Sequence, residues 1–417
     1  MMPARNITII SAIYPPEPQV SARMSFDLAH YLAGQGNCVT VVCPQPSRPL
    51  NADYNRYANP DSPVETREGK ILVVRLPSFA APHSRLVHRM KESISFGHQV
   101  VRYLARQTTN PDVMYVNSWP MFSQAMIAQF ARERAVPMVL QIMDIYPEAL
   151  THKLPALVRP LISFLPKMLD TWTSRSAAVV VTISGNMRRI YTESRQIRAE
   201  RVVTIPTWQD EKLFDALIER SHAFKKYDVP EDRFTFLYLG NIGPVAGVDL
   251  LIRAFHAADL SNAQLVIVGD GSEKNFCVEE ARRLNARNIY FLCDHDVGNV
   301  PLLQAMADVC LLPLKRNAGN SSIPSKLPAY LFSAKPVLAT VDEECDTAAV
   351  IKECNCGWVS PPEDAKSLAA MMTSIAALDR NELARLGSNG RSNALAHFSK
   401  AQGVKRLADL VASAICR

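Results

Sequence analysis

At 417 residues the chain is too long for one hydrophobic core, which stops growing near about 250–300 residues, so two domains are expected. With 48% apolar and 21% charged residues it has the make-up of chains that fold in water, and no run approaches the roughly 18 uninterrupted apolar residues of a membrane span. The net charge of +6 is uneven: residues 1–210 carry 23 lysines and arginines against 15 acids, the remainder 23 against 25. The basic half calls for an anionic partner such as a phospholipid surface or a lipid-linked phosphate; nucleic acid is disfavoured, because the basic residues are not interleaved with aromatics.

In chain order, residues 6–13 (NITIISAI) read as a buried strand, followed by a proline-rich turn and a helix over 21–34 with Met24, Leu28, Tyr31 and Leu32 on one face. Residues 37–43 form the next strand, which closes a βαβ unit and requires a parallel sheet. Tyr-Pro-Pro-Glu-Pro stands where a leader would need small residues for cleavage, so the start reads as strand and turn and the protein is placed in the cytoplasm. Further strands are expected at 71–76, 113–117, 137–143, 178–183 and 201–205. The periodicity breaks over 206–233, and a second series follows with strands at 234–239, 264–268, 288–292, 309–314 and 336–340.

The expected fold is therefore α/β: two doubly wound, Rossmann-like domains facing across a cleft, 1–210 and 211–397, with a last helix at about 398–417 packing back on the first. Functional residues then belong on the loops after the strands. Nine scattered cysteines, with Cys354 and Cys356 too close for zinc ligation, read as buried or inert thiols.

Three loops in the second half carry chemical groups. Tyr238 to Gly247 (YLGNIGPVAG) joins a strand to a helix; it is either a cradle whose N–H groups and helix start suit a diphosphate, or a turn made glycine-rich by packing. The Gly-Asp-Gly after Val268 is more often structural punctuation. In Asn320-Ser-Ser-Ile-Pro-Ser-Lys326, three serines and one lysine gather before a helix, more polar groups than a single cap needs.

With these residues in view, the chain resembles the GT-B glycosyltransferases of family 4, of the type that builds bacterial surface polysaccharides. The likeness rests on Tyr14-Pro-Pro-Glu17, Asp144-Ile-Tyr-Pro-Glu148, Ile183-Ser184, Ile205 to Asp210, Tyr238 to Gly247, Val268 to Gly271, Asp308 to Pro313, Ile323-Pro-Ser-Lys326 and Lys335-Pro-Val337, in order and in spacing. It implies a retaining, metal-independent hexosyl transfer with no cofactor beyond the nucleotide-diphosphate sugar, which is held by the C-terminal domain. A saccharide or polyprenyl-diphosphate-linked acceptor would be held by the N-terminal domain.

Donor binding then falls to Gly240, Asn241, Gly243, Gly269, Ser322, Ile323, Ser325 and Lys326, with the N–H groups of residues 240–243 and Lys326 on the leaving diphosphate. Asp144 and Lys326 are the catalytic candidates. Ser21, Arg23, Asn117 and Glu148 are assigned to the acceptor, while capping and turn formation is the plain alternative for Asp144 and Glu148. The chain departs from the family pattern at Asn241 and Ala246, where a basic pair is usual, at Ala329 in place of a ribose-binding glutamate, at Gln19-Val20 in place of a glycine pair, and at Met143 in place of a histidine. Two rival readings stand beside the transferase: a GT-B-fold epimerase, which would use the same nucleotide-sugar cleft, and a noncatalytic partner subunit, which the changes at Asn241, Ala246 and Ala329 motivate. A dehydrogenase is disfavoured, because the first turn lacks glycines.

Residues 83–106 and 153–168 combine apolar and basic positions at helical spacing, prolines 155, 160 and 166 shortening any helix in the second. Each reads either as a core-packed amphipathic helix or as a segment lying on the inner face of an anionic membrane.

Overall fold

The computed structural model describes residues 4–48, 53–57, 59, 61–81, 86–118, 121–148, 159–216, 218–294, 296–316, 318–319 and 323–415. The chain divides into two compact units, residues 1–207 with 403–417, and 208–402.

The first unit is built on eight strands: β1 (Asn6–Ser11), β2 (Cys38–Pro44), β3 (Val64–Glu68), β4 (Ile71–Leu76), β5 (Val113–Asn117), β6 (Met138–Gln141), β7 (Val179–Thr182) and β8 (Val202–Thr204). Their order is β3-β4-β2-β1-β5-β6-β7-β8, parallel except for β3, which runs antiparallel to β4. The β-branched runs that predicted strands are buried on both faces, as a parallel sheet covered by helices requires. Ile10, Val42, Phe96, Val100, Met114, Ile127, Leu140 and Val180 share one core. Strand β3 escapes the sequence reading because VETRE is polar; it is an edge strand whose charged side chains block further pairing.

The second unit has six parallel strands: β9 (Phe234–Leu239), β10 (Ala263–Val268), β11 (Ile289–Leu292), β12 (Val309–Pro313), β13 (Val337–Thr340) and β14 (Gly357–Ser360), in the order β11-β10-β9-β12-β13-β14. Alternate residues of β9 feed two cores, Leu237 with Val266, Cys310 and Tyr330 on one face, Phe236 and Tyr238 with Leu251, Phe255 and Ile267 on the other. At about 1.5–3 kcal/mol for each large apolar side chain fully buried, these layers dominate the unit's stability. The chain winds outward from β9 through β10 to β11 and returns on the other side at β12, so the winding reverses between β9 and β12, where open sheets of this kind bind ligands beyond the strand ends.

The C-terminal residues 403–417 belong to the first unit, where Val404, Leu407 and Val411 are buried and Arg406 donates to the Thr204 carbonyl at 3.3 Å. Among the described residues no helix is long and apolar enough to cross a membrane. The described cysteines are all free; Cys43, Cys277, Cys310, Cys345 and Cys356 are buried, whereas Cys38 and Cys293 are exposed. Burial pushes the Cys43 and Cys310 thiols up to about 12, which removes their nucleophilicity near neutral pH.

Candidate active site

The end of β9 is shaped by glycines that let two turns and a lysine close in. Gly240 has φ +148°, and a Cβ there would fall inside the Lys326 side chain, so the glycine is the space the lysine occupies. Gly269, at φ +140°, allows the second turn to press on the Gly240 carbonyl. The turns are laced together: Gly240 N donates to Val268 O at 2.9 Å, Ile242 N to Asp270 O at 2.8 Å and Glu273 N to Ile242 O at 3.0 Å.

This lacing corrects one expectation. The amides of Gly240 and Ile242 are spent inside the protein, so they do not cradle a phosphate; among the described residues those of Asn241 and Gly243 remain unengaged. The Gly-Asp-Gly turn shapes the mouth of the sheet, where Gly269, Asp270 and Gly271 line a cavity.

Lys326 opens the helix Lys326–Phe332, its Nζ 5.0 Å from the centre of the Tyr238 ring. A cation at a helix N-terminus is opposed by the helix dipole, and among the described residues no carboxylate pairs with it. Burial lowers its pKa below the ordinary lysine value. Ser325 precedes it with an exposed side chain that caps no backbone N–H, and Ile323 packs on the core. Ser322 lies outside the described residues.

Tyr330, one turn further along this helix, is fully buried, and its hydroxyl accepts from Leu239 N at 3.0 Å and donates to Leu239 O at 3.2 Å. Strands β9 and β12 pair only at Phe236–Val309 and Leu237–Cys310. Beyond that the phenol replaces the missing strand partner and holds the reversal point open. Tyr330→Phe should leave both groups of Leu239 unpaired and cost about 1–3 kcal/mol in urea denaturation, with weakened donor binding; unchanged stability would show that the phenol carries no such load.

A cavity of about 450 Å³ opens beside this point, between the turns at Gly240 and Gly269 and the loop after β11 that carries Asp294, Asp296 and Val297. The sequence reading passed over that loop. Asp294 is tied down by the Tyr227 hydroxyl at 2.6 Å, Asn299 Nδ2 at 2.9 Å and the Asp296 amide at 2.9 Å, and the Tyr227 hydrogen bond lowers its pKa. Ala246 and Ala329, the family departures, are both buried.

In the first unit the candidates fall into two groups. Asp144, three residues beyond β6, is exposed at the surface, and the protein crowded around it raises its carboxyl above the ordinary aspartate value by desolvation. Arg23 is exposed and Ser21 half-buried at the start of the helix Val20–Gly34.

The other two candidates are committed to internal bonds. Buried Asn117 donates Nδ2 to the Ser21 carbonyl and the Ser25 hydroxyl, both at 3.2 Å, so it ties β5 to that helix. Glu148 meets Arg195 with both oxygens at 2.7 Å, and Arg195, wholly buried, also bonds Asp170 Oδ2 and the Tyr146 carbonyl at 2.7 Å. The arginine holds the Glu148 carboxyl below the ordinary glutamate range. Glu148 is thus the outer end of a buried network that fixes the Asp144 loop.

A second buried network, also unseen in the sequence, joins Glu17 to the amides of Ser47 and Arg48 at 3.0 and 2.8 Å, and Arg48 to Glu92 at 2.6 Å. It pins the loops after β1 and β2 at the same end of the sheet.

Two family models match in tandem: a glycosyl transferase 4-like domain over residues 21–208 and glycosyl transferases group 1 over residues 219–393. Together they span both units. The chain belongs to the group 1 glycosyl transferases. It is 25% identical over 383 residues, 88% of this chain and 90% of the other, to Escherichia coli K12 WcaI, named for glycosyl transfer in colanic acid biosynthesis. It is 26% identical over 287 residues, 66% of this chain and 67% of the other, to Pseudomonas aeruginosa WbjE, named as a glycosyltransferase. Among solved structures it resembles Anabaena HepE in complex with UDP, with a TM-score of 0.69 at 15% identity, covering 98% of this chain and all of that one. Two Rossmann-like units, the GT-B architecture, are what this group 1 transferase shares with that neighbour.

Proposed function

We propose that this group 1 glycosyltransferase is a retaining, metal-independent hexosyltransferase acting in bacterial surface polysaccharide synthesis at the cytoplasmic face of the membrane. It moves a sugar from a nucleotide-diphosphate donor to a glycan or a polyprenyl-diphosphate-linked acceptor, with no other cofactor. The observation that carries the reading is Lys326, a desolvated ammonium at the winding reversal with no carboxylate partner among the described residues. A half-buried, partly desolvated cation without a balancing charge is relieved by an anion that comes to it, and a diphosphate is such an anion.

In the reaction the donor's anomeric C–O bond breaks toward the diphosphate, and the acceptor oxygen bonds to the anomeric carbon on the same face. The acceptor proton leaves on a donor phosphate oxygen. Lys326 and the amides of Asn241 and Gly243 take up the charge that grows on the leaving group. The nucleoside occupies the cavity walled by Gly269 and Asp296. Asp144 is the carboxylate we assign to catalysis on the acceptor side, and Arg23 and Ser21 are the accessible acceptor contacts.

A thermal-shift panel of UDP-, GDP- and ADP-sugars tests the donor assignment. A ligand at a hundredfold its Kd adds about 2.7 kcal/mol of stability, so the right nucleotide should raise Tm by several degrees. No response to any of them would sink the transferase mechanism and favour a noncatalytic subunit. Incubation of the responding nucleotide sugar without acceptor separates transfer from epimerisation, since a transferase at most hydrolyses it slowly.

A further inference from the structure

The two amphipathic segments flagged in the sequence meet different fates in the fold. The helix Leu86–Ala105 sets Phe96, Val100 and Leu104 into the core and exposes Val87 and Ile94. In the helix Arg159–Ser176 three large apolar side chains within five residues are exposed: Phe164 by 61%, Leu165 by 72% and Met168 by 55%. It also continues through Pro166, contrary to the expectation for that proline, while Pro160 stands in its first turn and Pro155 lies outside the described residues; its buried Asp170 is anchored by Arg195 and Tyr191.

Phe164, Met168, Trp172 and Arg175 recur at intervals of three or four and line one side of a groove of about 1130 Å³. The groove lies at the amino ends of β6 and β7, the opposite edge of the sheet from Asp144 and Glu148. Its lining includes Arg132, Lys167, Arg175 and Arg201 and, among the described residues, no carboxylate.

We propose that this groove is the membrane-docking face of the protein, with a bilayer rich in acidic phospholipid as its occupant. Phe164, Leu165 and Met168 enter the headgroup and acyl boundary, and Arg132, Lys167 and Arg175 meet the lipid phosphates, while Arg201 holds the groove's floor by donating to the Arg175 and Ala177 carbonyls. Large apolar side chains at such exposure have no function against a polyanion in water, which argues against nucleic acid. A second copy packed on the groove about a twofold axis would set the cations of one chain against those of the other, which argues against self-association. The proposal goes beyond the transfer reading and stands whether or not that reading holds.

The test is co-sedimentation of the full chain with phosphatidylcholine vesicles, with and without about one third phosphatidylglycerol, at low and high salt. Binding is expected to the acidic vesicles alone and to weaken with salt. Each cation removed near such a surface should weaken partitioning about fivefold, so Lys167→Glu and Arg132→Glu should each lower it by that factor or more. Leu165→Ser should lower it as well, at both salt concentrations, with melting temperature and nucleotide response unchanged. Equal binding to both vesicle types, or no effect of these three substitutions, overturns the proposal. So does a lipid-free dimer that Leu165→Ser dissociates, or an oligonucleotide complex that Lys167→Glu weakens while vesicle binding stays intact.

Discussion

Lys326→Met is expected to abolish sugar transfer while making the protein more stable. Removing one preorganised cation from a water-poor site where a leaving group gathers charge costs about 10²–10³ in turnover. In the free protein the same cation is a burden: it is desolvated, set against a helix dipole, and unpaired among the described residues. An unbranched apolar side chain of similar length fills the space over Gly240 without that burden, and a gain of about 1 kcal/mol, or roughly 2–4 °C in Tm, should follow.

The pH dependence has a matching sign. Because burial holds the folded pKa of Lys326 below the ordinary value of 10.5, the unfolded chain binds more protons between the two values, and wild-type stability owed to this group rises with pH across that interval. Lys326→Met should lack that rise. Donor binding shows the reverse trend, since a diphosphate favours the charged form: affinity falls as pH climbs through the depressed pKa of the free protein. Initial rates at saturating donor and a melting curve decide the matter. Wild-type turnover in Lys326→Met, or a lower Tm, would remove this lysine from the active site.

What the sequence reveals of this architecture follows from which signals are local. Strand after strand of β-branched residues, separated by helical patterns, specifies a parallel α/β fold, because only a sheet covered on both faces buries such runs. Lys326 stands out for the same reason, as one cation in a run of serines after a strand. Strand β14 stays hidden because its four residues, GWVS, are too few for a period, and β3 because an edge strand needs polar residues.

The fate of a hydrogen-bonding group is the part no local pattern carries. Nothing near Gly240 says that its amide is taken by Val268, 28 residues on, and nothing near Asn117 says that it bonds Ser21. Amphipathic spacing likewise gives the same two readings for 83–106 and 153–168, and only tertiary packing shows that Phe96 and Val100 are buried whereas Phe164, Leu165 and Met168 are exposed.

Arg195 is the extreme case of such a hidden role, and Arg195→Met is expected to carry the largest stability loss of any single substitution considered. Its guanidinium makes five hydrogen bonds, to Asp170, to Glu148 twice, to Ser194 and to the Tyr146 carbonyl. Three segments distant in sequence meet there: the loop after β6, the helix Arg159–Ser176 and residues 194–195.

Removing the cation leaves Asp170 buried as an uncompensated carboxylate, which costs about 3–5 kcal/mol. The Asp144 loop loses its anchor at the same time, so kcat should fall further than the fraction unfolded explains, with the donor's own affinity for the second unit unchanged. Arg195→Lys should recover little, since one ammonium cannot reach five acceptors in a plane. Replacing the set together, Arg195→Met with Asp170→Leu and Glu148→Gln, should regain much of the stability and none of the lost rate, because apolar packing substitutes for a buried ion pair in energy but does not hold the Tyr146 carbonyl. Urea denaturation and steady-state rates measure the two effects separately. If the triple substitution restored turnover as well, the arginine would be a stabiliser only, and the Asp144 loop would need no positioning from it.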